Sequence, residues 1–119
     1  MTKPLNYLCT PYTKYGQGHN AAFEEACKAA GELMRRGMLV HSPIAHSHPI
    51  AVHAKLDPVD RAFWMEQSLA MLFECDHVLV LKMPGWNESD GIAQEIRYAE
   101  KLGKPISYLA WPLMCENGQ

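Results

Sequence analysis

The segment His77–Leu81 constrains the fold more than any other part of the chain, because its last four residues form an unbroken apolar run. Such a run is typical of a strand in a parallel sheet that is covered on both faces, whereas a half-exposed strand alternates apolar and polar residues. A Pro-Gly-Trp loop follows, and then a Ser-Asp-Gly start to a helix that carries Glu95 one turn inside it. Because ligands bind open parallel sheets beyond the carboxyl ends of the strands, we expect a site directly after this strand.

The rest of the chain alternates strand-like and helix-like patterns. Short apolar runs at residues 6–10, 38–40 and 106–109 are strand candidates, and two helical patterns end at Gly37 and Gly103. The order strand, helix, strand, helix, strand, helix, strand predicts an α/β fold with an open parallel sheet of four to five strands and helices on both faces, as in flavodoxin-like and Rossmann-like domains. We expect one domain over residues 1–119, because this length is too short for two.

The boundaries of two helices and one long loop follow from capping residues and prolines. Asn20 is predicted to cap the first helix, and Asp57-Pro58 to begin the next one, with the aspartate as cap and the proline in the first turn. Residues 42–56 lose helical periodicity and contain two prolines and three histidines, which predicts a long functional loop. Together with residues 11–18 and 82–95, this loop is expected to converge on one rim of the sheet.

The net charge and the cysteine pattern limit the classes of partner and the cellular compartment that we expect. A net charge of −2 provides no basic field for a nucleic-acid polymer or a membrane surface. The four cysteines are scattered without a Cys-x-x-Cys pair, which indicates reduced thiols. There is no leader-like start and no run long enough to span a bilayer. We therefore expect a cytoplasmic protein that acts on a small molecule.

The start of the Glu95 helix combines an anion site with a carboxylate. Ser89 and Asp90 are helix-cap residue types, and Gly91 allows close approach to the helix start, where free N–H groups favour anions. Glu95 falls at the edge of an apolar helical stripe that includes Ile92, so its carboxylate is able to face inward. The alternative, that Glu95 is an ordinary solvated glutamate, stays open at this point.

Three segments resemble the nucleoside 2-deoxyribosyltransferase superfamily. They are Tyr-Leu-Cys-Thr-Pro-Tyr at residues 7–12, Cys-Asp at 75–76 before a Val/Leu strand, and the spaced Ser, Gly, Glu and Ala followed by Gly-Lys-Pro within 89–105. Ser-Pro-Ile-x-His-Ser-His-Pro-Ile at 42–50 and Pro-Gly-Trp at 84–86 resemble most closely a small group of bacterial and phage domains of unknown function within that superfamily.

The resemblance implies cleavage or transfer at the N-glycosidic bond of a nucleoside or nucleotide, with no cofactor. It assigns Glu95 as the nucleophile at the anomeric carbon and Tyr7 as the residue that orients it, although Tyr7 is equally explained as a core aromatic. Ser89 matches a phosphate-contacting serine of nucleotide-specific relatives, which favours a monophosphate substrate. Relatives complete their pockets with a neighbouring subunit, so we expect a homodimer or a higher homo-oligomer.

One position departs from the superfamily pattern. Where the relatives carry an aspartate that handles the leaving base, this chain has Ser68. The group that protonates the base is therefore unassigned, and Glu66, Asp90 or a loop histidine are the candidates. The departure also keeps open a second function, a non-catalytic module that binds or senses nucleotides.

Further side chains are predicted to bind the substrate, each with an alternative. Lys14 and the first loop are expected to contact phosphate, Tyr12 to line the site, and Trp86 to stack on a base or only to pin its own loop. His46 and His48 are expected to be hydrogen-bond donors in the pocket. A less favoured reading makes the histidines ligands of a metal-dependent hydrolase, but their spacing has no known metal signature and we predict no metal site. Asp76 is a further substrate-binding candidate, with tying of loop amides as its structural alternative.

Overall fold

Four parallel strands form an open sheet in the computed structural model, which describes residues 3–113. The strands are β1 (Leu5–Cys9), β2 (Leu39–His41), β3 (His77–Leu81) and β4 (Ile106–Leu109), in the spatial order β2-β1-β3-β4. The helices are α1 (His19–Arg35), α2 (Pro43–Ala54), α3 (Arg61–Glu74) and α4 (Asp90–Lys101), with a short 3-10 helix at Trp86–Glu88. The predicted α/β class and parallel sheet are confirmed.

The two faces of the sheet are buried in two separate apolar clusters. Leu8, Leu79 and Leu81 pack with alanines and Leu33 of α1 on one face. Tyr7, Val78 and Val80 pack on the other face with residues of α3 and α4. Burial on both faces explains the unbroken apolar run of β3, which pairs with β1 on one side and β4 on the other.

The strand order places a crevice between the carboxyl ends of β1 and β3. The chain leaves β1 through α1 to reach β2 on one side, and leaves β3 through α4 to reach β4 on the other. The connections therefore diverge at this point, which is where open α/β sheets bind their ligands.

Residues 42–56 are mostly helical, so the predicted long loop is wrong. The Ser42 hydroxyl accepts a hydrogen bond from the Ala45 amide at 3.2 Å, and Pro43 occupies the first turn, where no amide donor is needed. Pro49 lies inside the helix, whose buried face includes Ala51. Capping and packing thus outweigh the cost of the internal proline. The helix ends at Ala54, and the residue that caps it, Lys55, is left-handed with φ of 59°.

Two predicted helix starts also differ from the structure. The third helix begins at Arg61 and is capped by Asp60, whose carboxylate accepts from the Phe63 amide at 3.4 Å. Asp57 instead accepts from the Val59 amide at 3.0 Å, within the turn that precedes the helix. In α1, Gly18 rather than Asn20 is the cap residue, so Asn20 lies inside the helix.

Within residues 3–113, no helix is both long enough and apolar enough to cross a membrane.

Candidate functional site

A cavity of about 340 Å³ opens at the crevice between β1 and β3. Its walls come from the loop after β1, from α2, from the start of α3 with the turn before it, and from the first two turns of α4. Three segments that are distant in sequence therefore meet at one edge of the sheet, as expected from the topology. The volume lies in the range of small-molecule sites.

Glu95 is a buried carboxylate in the wall of this cavity. Its residue is only 7% exposed, and its Oε2 accepts a hydrogen bond of 2.5 Å from the Tyr7 hydroxyl. Burial raises the pKa of Glu95 to about 7, although hydrogen bonds from Tyr7 and Cys9 oppose the increase. The alternative of a solvated surface glutamate is therefore wrong.

Tyr7 fixes the orientation of this carboxylate from within the sheet. It is fully buried on β1, where it pairs with His41 of β2 and Val78 of β3. Burial and the nearby Glu95 charge raise the pKa of Tyr7 well above its usual value, and a side-chain hydrogen bond with Ser68 opposes them. Tyr7 therefore remains a neutral donor to Glu95. Ser68 also lines the cavity, at the position that departs from the superfamily pattern.

The start of α4 forms the part of the cavity wall suited to an anion. The Ser89 hydroxyl caps the helix by accepting from the Ile92 amide at 3.1 Å. Ser89, Asp90 and Gly91 all line the cavity. A Cβ atom added at Gly91 would meet nothing closer than 3.8 Å, so the protein itself does not require glycine here. The partial positive charge of the helix start favours an anionic ligand group at this wall.

Thr10 is a cavity residue that the sequence analysis missed. It follows the last residue of β1 and is only 4% exposed. Its hydroxyl oxygen has no hydrogen-bond partner among residues 3–113. A buried hydroxyl without a partner is costly. Its position at the carboxyl end of a strand was the available indication.

Arg61 is the second residue that the sequence analysis missed. Its guanidinium Nη2 lies 3.0 Å from Oδ2 of Asp90, and the two side chains are 55% and 58% exposed. Both residues line the cavity, so this ion pair joins the first residue of α3 to the first residue of α4 at the rim. At that exposure the pair contributes little to stability, but it places a guanidinium beside the anion wall.

Aromatic rings form another part of the wall. The Tyr12 hydroxyl lies 2.7 Å from Nδ1 of His48, and both residues line the cavity. Tyr12 stacks on His19 with ring centroids 4.2 Å apart, and His48 stacks on Phe23 at 4.6 Å. Lys14 lines the same cavity and is exposed.

The structure places three predicted site residues outside this cavity. The carboxylate of Asp76 accepts from the Leu5 amide at 2.8 Å, at the edge of the sheet where β1 and β3 begin. His46 is exposed on α2, with its ring 5.8 Å from that of His41. Trp86 packs edge-on against Tyr108 at 5.7 Å. These positions agree with the structural alternatives for Asp76 and Trp86.

The Pro-Gly-Trp segment supports the cavity from outside. Gly85 has a φ of 93°, and a Cβ atom there would lie 2.2 Å from the carbonyl oxygen of Lys14. Only glycine permits this contact between the loop after β3 and the loop after β1. The segment therefore determines where the Lys14 loop lies.

Histidines do not form a metal site in the described part of the chain. Over residues 3–113, no three His, Cys, Asp or Glu side chains are grouped so that they could hold a metal ion.

Comparison with known proteins identifies a family without an assigned activity. The model of a domain of unknown function, DUF1937, matches residues 5–111, from the first residue of β1 to two residues beyond β4. The search of curated proteins found no match. The match agrees with the part of the resemblance that concerned domains of unknown function.

Proposed function

The chain belongs to the DUF1937 family, and we propose that it cleaves or transfers the N-glycosidic bond of a nucleoside or nucleoside monophosphate, with Glu95 as the nucleophile. The resemblance of residues 7–12 and 89–105 to nucleoside 2-deoxyribosyltransferases supports the same chemistry. No cofactor is needed for this reaction, because the carboxylate and a leaving-group acid suffice.

The observation that carries the proposal is the buried Glu95 carboxylate in a cavity of about 340 Å³. N-glycosidic cleavage develops positive charge at the anomeric carbon, and a fixed carboxylate stabilises that charge and then bonds to the carbon. The Tyr7 hydrogen bond holds the carboxylate in place. A glycosyl-enzyme formed on Glu95 would be released to water by a hydrolase or to a second base by a transferase.

A 5′-monophosphate is the substrate form that the cavity favours. The capped start of α4 provides positive potential at one wall, and Lys14 adds a cation at the rim. The Arg61 guanidinium lies beside this wall as an ion pair with Asp90, so the pair adds no net charge. A free nucleoside would bring no anionic group to the start of α4.

The test is release of free base from a panel of ribonucleoside and deoxyribonucleoside monophosphates, with the matching nucleosides, measured by chromatography. We expect release by the wild-type protein and a loss of at least about 1,000-fold in Glu95→Ala, because covalent catalysis is then impossible. Glu100→Gln is the matched control, since Glu100 lies exposed on the same helix. Equal release by Glu95→Ala and the wild-type protein would refute the assignment.

A non-catalytic nucleotide-binding or sensing module is the second candidate. It is favoured by Ser68, a weak acid at the cavity position where the resemblance implies an aspartate. A nucleotide that raises the unfolding temperature but is recovered intact after prolonged incubation would support this candidate over catalysis.

We further propose a homodimer that forms next to the cavity. Exposed apolar side chains lie on α2, on the connection after it and at the start of α3. They are Ile50, Val52, Leu56, Val59 and Phe63, at 38–56% exposure. Val59 also lines the cavity, so a second copy seated on this apolar surface would border the substrate site.

A further inference from the structure

Tyr12 and His48 form a hydrogen-bonded pair that is rigidly held in the cavity wall. The Tyr12 hydroxyl and His48 Nδ1 are 2.7 Å apart, within the range of a good hydrogen bond. His19 and Phe23, both on α1, stack on the two rings. His48 is only 9% exposed. Two polar atoms are thus fixed in a ligand-sized cavity before any ligand enters it.

The other cavity side chains are less suited to giving a proton to a leaving base. Asp90 is held as an ion pair with Arg61 at the rim and is more than half exposed. Ser68 carries an aliphatic hydroxyl, which is a very weak acid. Glu66, considered from the sequence, is exposed and does not line the cavity. Lys14 lines the cavity as well, but it is exposed at the rim. The Tyr12–His48 pair differs from these side chains because its two polar atoms are hydrogen-bonded to each other within the cavity wall.

We propose that Tyr12 and His48 together supply the proton that the departing base takes up, an assignment that rests on the N-glycosidic chemistry proposed above. This role is distinct from that of Tyr7, which orients the nucleophile. It places the leaving-group acid on the loop after β1 and on α2, whereas the nucleophile is on α4.

In the proposed step, a carboxylate oxygen of Glu95 bonds to C1′, the C1′–N bond breaks, and its electron pair goes to the base nitrogen. The base takes the Tyr12 hydroxyl proton, and protonated His48 returns a proton from Nδ1 to the phenolic oxygen. The base leaves neutral, and His48 regains a proton from water. Burial raises the pKa of Tyr12, so its hydroxyl gives up a proton only as protonated His48 replaces it. Burial, with a smaller effect of His19, lowers the pKa of His48, so its protonated form gives up that proton more readily.

The test compares leaving groups that do and do not require a proton. The first substrate is the panel nucleotide that releases most base. The second is the 4-nitrophenyl 5-phosphoglycoside of the same sugar, whose nitrophenolate departs without protonation. We expect Tyr12→Phe and His48→Asn to slow base release about 100-fold or more, in the range of general acid catalysis, and to slow nitrophenolate release less than about 10-fold.

Matched variants separate this role from a structural one. Tyr108→Phe alters an exposed tyrosine on β4, and His46→Asn alters an exposed histidine on the same helix as His48. Both are expected to behave as the wild-type protein. Equal losses on both substrates, or no loss on either, in Tyr12→Phe and His48→Asn would overturn the assignment while leaving Glu95 in its role. If the wild-type protein released neither base nor nitrophenolate, the proposed function would fail, and this assignment with it.

Discussion

The raised pKa of Glu95 predicts that this residue makes the protein less stable as the pH increases. In the unfolded chain a glutamate titrates near pH 4.5, whereas burial raises its pKa in the folded protein to about 7. Between these values the folded state binds more protons than the unfolded state, so the free energy of unfolding falls as the pH rises. The stabilisation is complete below the unfolded pKa and is lost as the pH rises through the folded one.

The size of the effect follows from the two pKa values. The full difference corresponds to about 3 kcal/mol, at about 1.4 kcal/mol for each pKa unit, and most of it falls between pH 5 and pH 8. Glu95→Gln keeps the shape and removes the titration. We therefore expect the wild-type protein to lose on the order of 2 to 3 kcal/mol relative to this variant over that range, a change in urea midpoint on the order of 1 M.

The assay is urea unfolding of both proteins at half-unit pH intervals, followed by circular dichroism. Taking the difference between them cancels the titration of groups that they share. Glu100→Gln removes an exposed carboxylate from the same helix and is expected to follow the wild-type protein. A stability difference between the wild-type protein and Glu95→Gln that stayed constant with pH would refute the reasoning, since it would mean that Glu95 is solvated.

Two further predictions concern the loops and the apolar surface. Gly85→Ala is expected to destabilise the protein by about 2 kcal/mol or more in urea unfolding, because the left-handed backbone is strained and the new Cβ meets the Lys14 carbonyl. Gly103 has a φ of 73°, and a Cβ atom there would meet open space, so Gly103→Ala should lose only the stability that the strained backbone costs. Equal losses in the two variants would argue against a contact between the Gly85 position and the Lys14 carbonyl. Val52→Lys, at a 56% exposed site on α2, should shift a dimer towards monomer in light scattering while leaving the fold intact. An unchanged mass would place any dimer interface elsewhere.

Much of the fold was predictable because its elements have strong local patterns. The apolar β3 run and the capped α4 helix were both located correctly. Helix α2 was missed because Pro49 and the weak apolar periodicity around it favoured a loop. The Ser42-Pro43 pair was a true capping combination, whereas the same reasoning applied to Asp57-Pro58 was wrong because Asp57 caps a turn.

The candidate site was predictable where topology dictated it and not where side-chain packing decided. Glu95 and Ser89 follow a strand end, so their presence at the cavity was expected. Arg61 has no distinctive pattern, and only the packed structure shows that it lines the cavity. For Thr10 the one indication was its position at the carboxyl end of β1. The sequence could not show that His48 lies in the cavity and His46 in solvent. The two side chains point in different directions because they lie on helix α2, where the sequence pattern predicts a loop.

The hydrogen bond between Tyr7 and Glu95 joins residues 88 positions apart. Contacts of such sequence separation form slowly compared with single helices, because a long loop must close before they are made. The carboxylate consequently meets its partner only after β1 has paired with β3 and α4 has docked. A chain arrested early in folding, or still emerging during synthesis, holds no oriented carboxylate, so the chemistry proposed for Glu95 would begin only once the sheet is assembled.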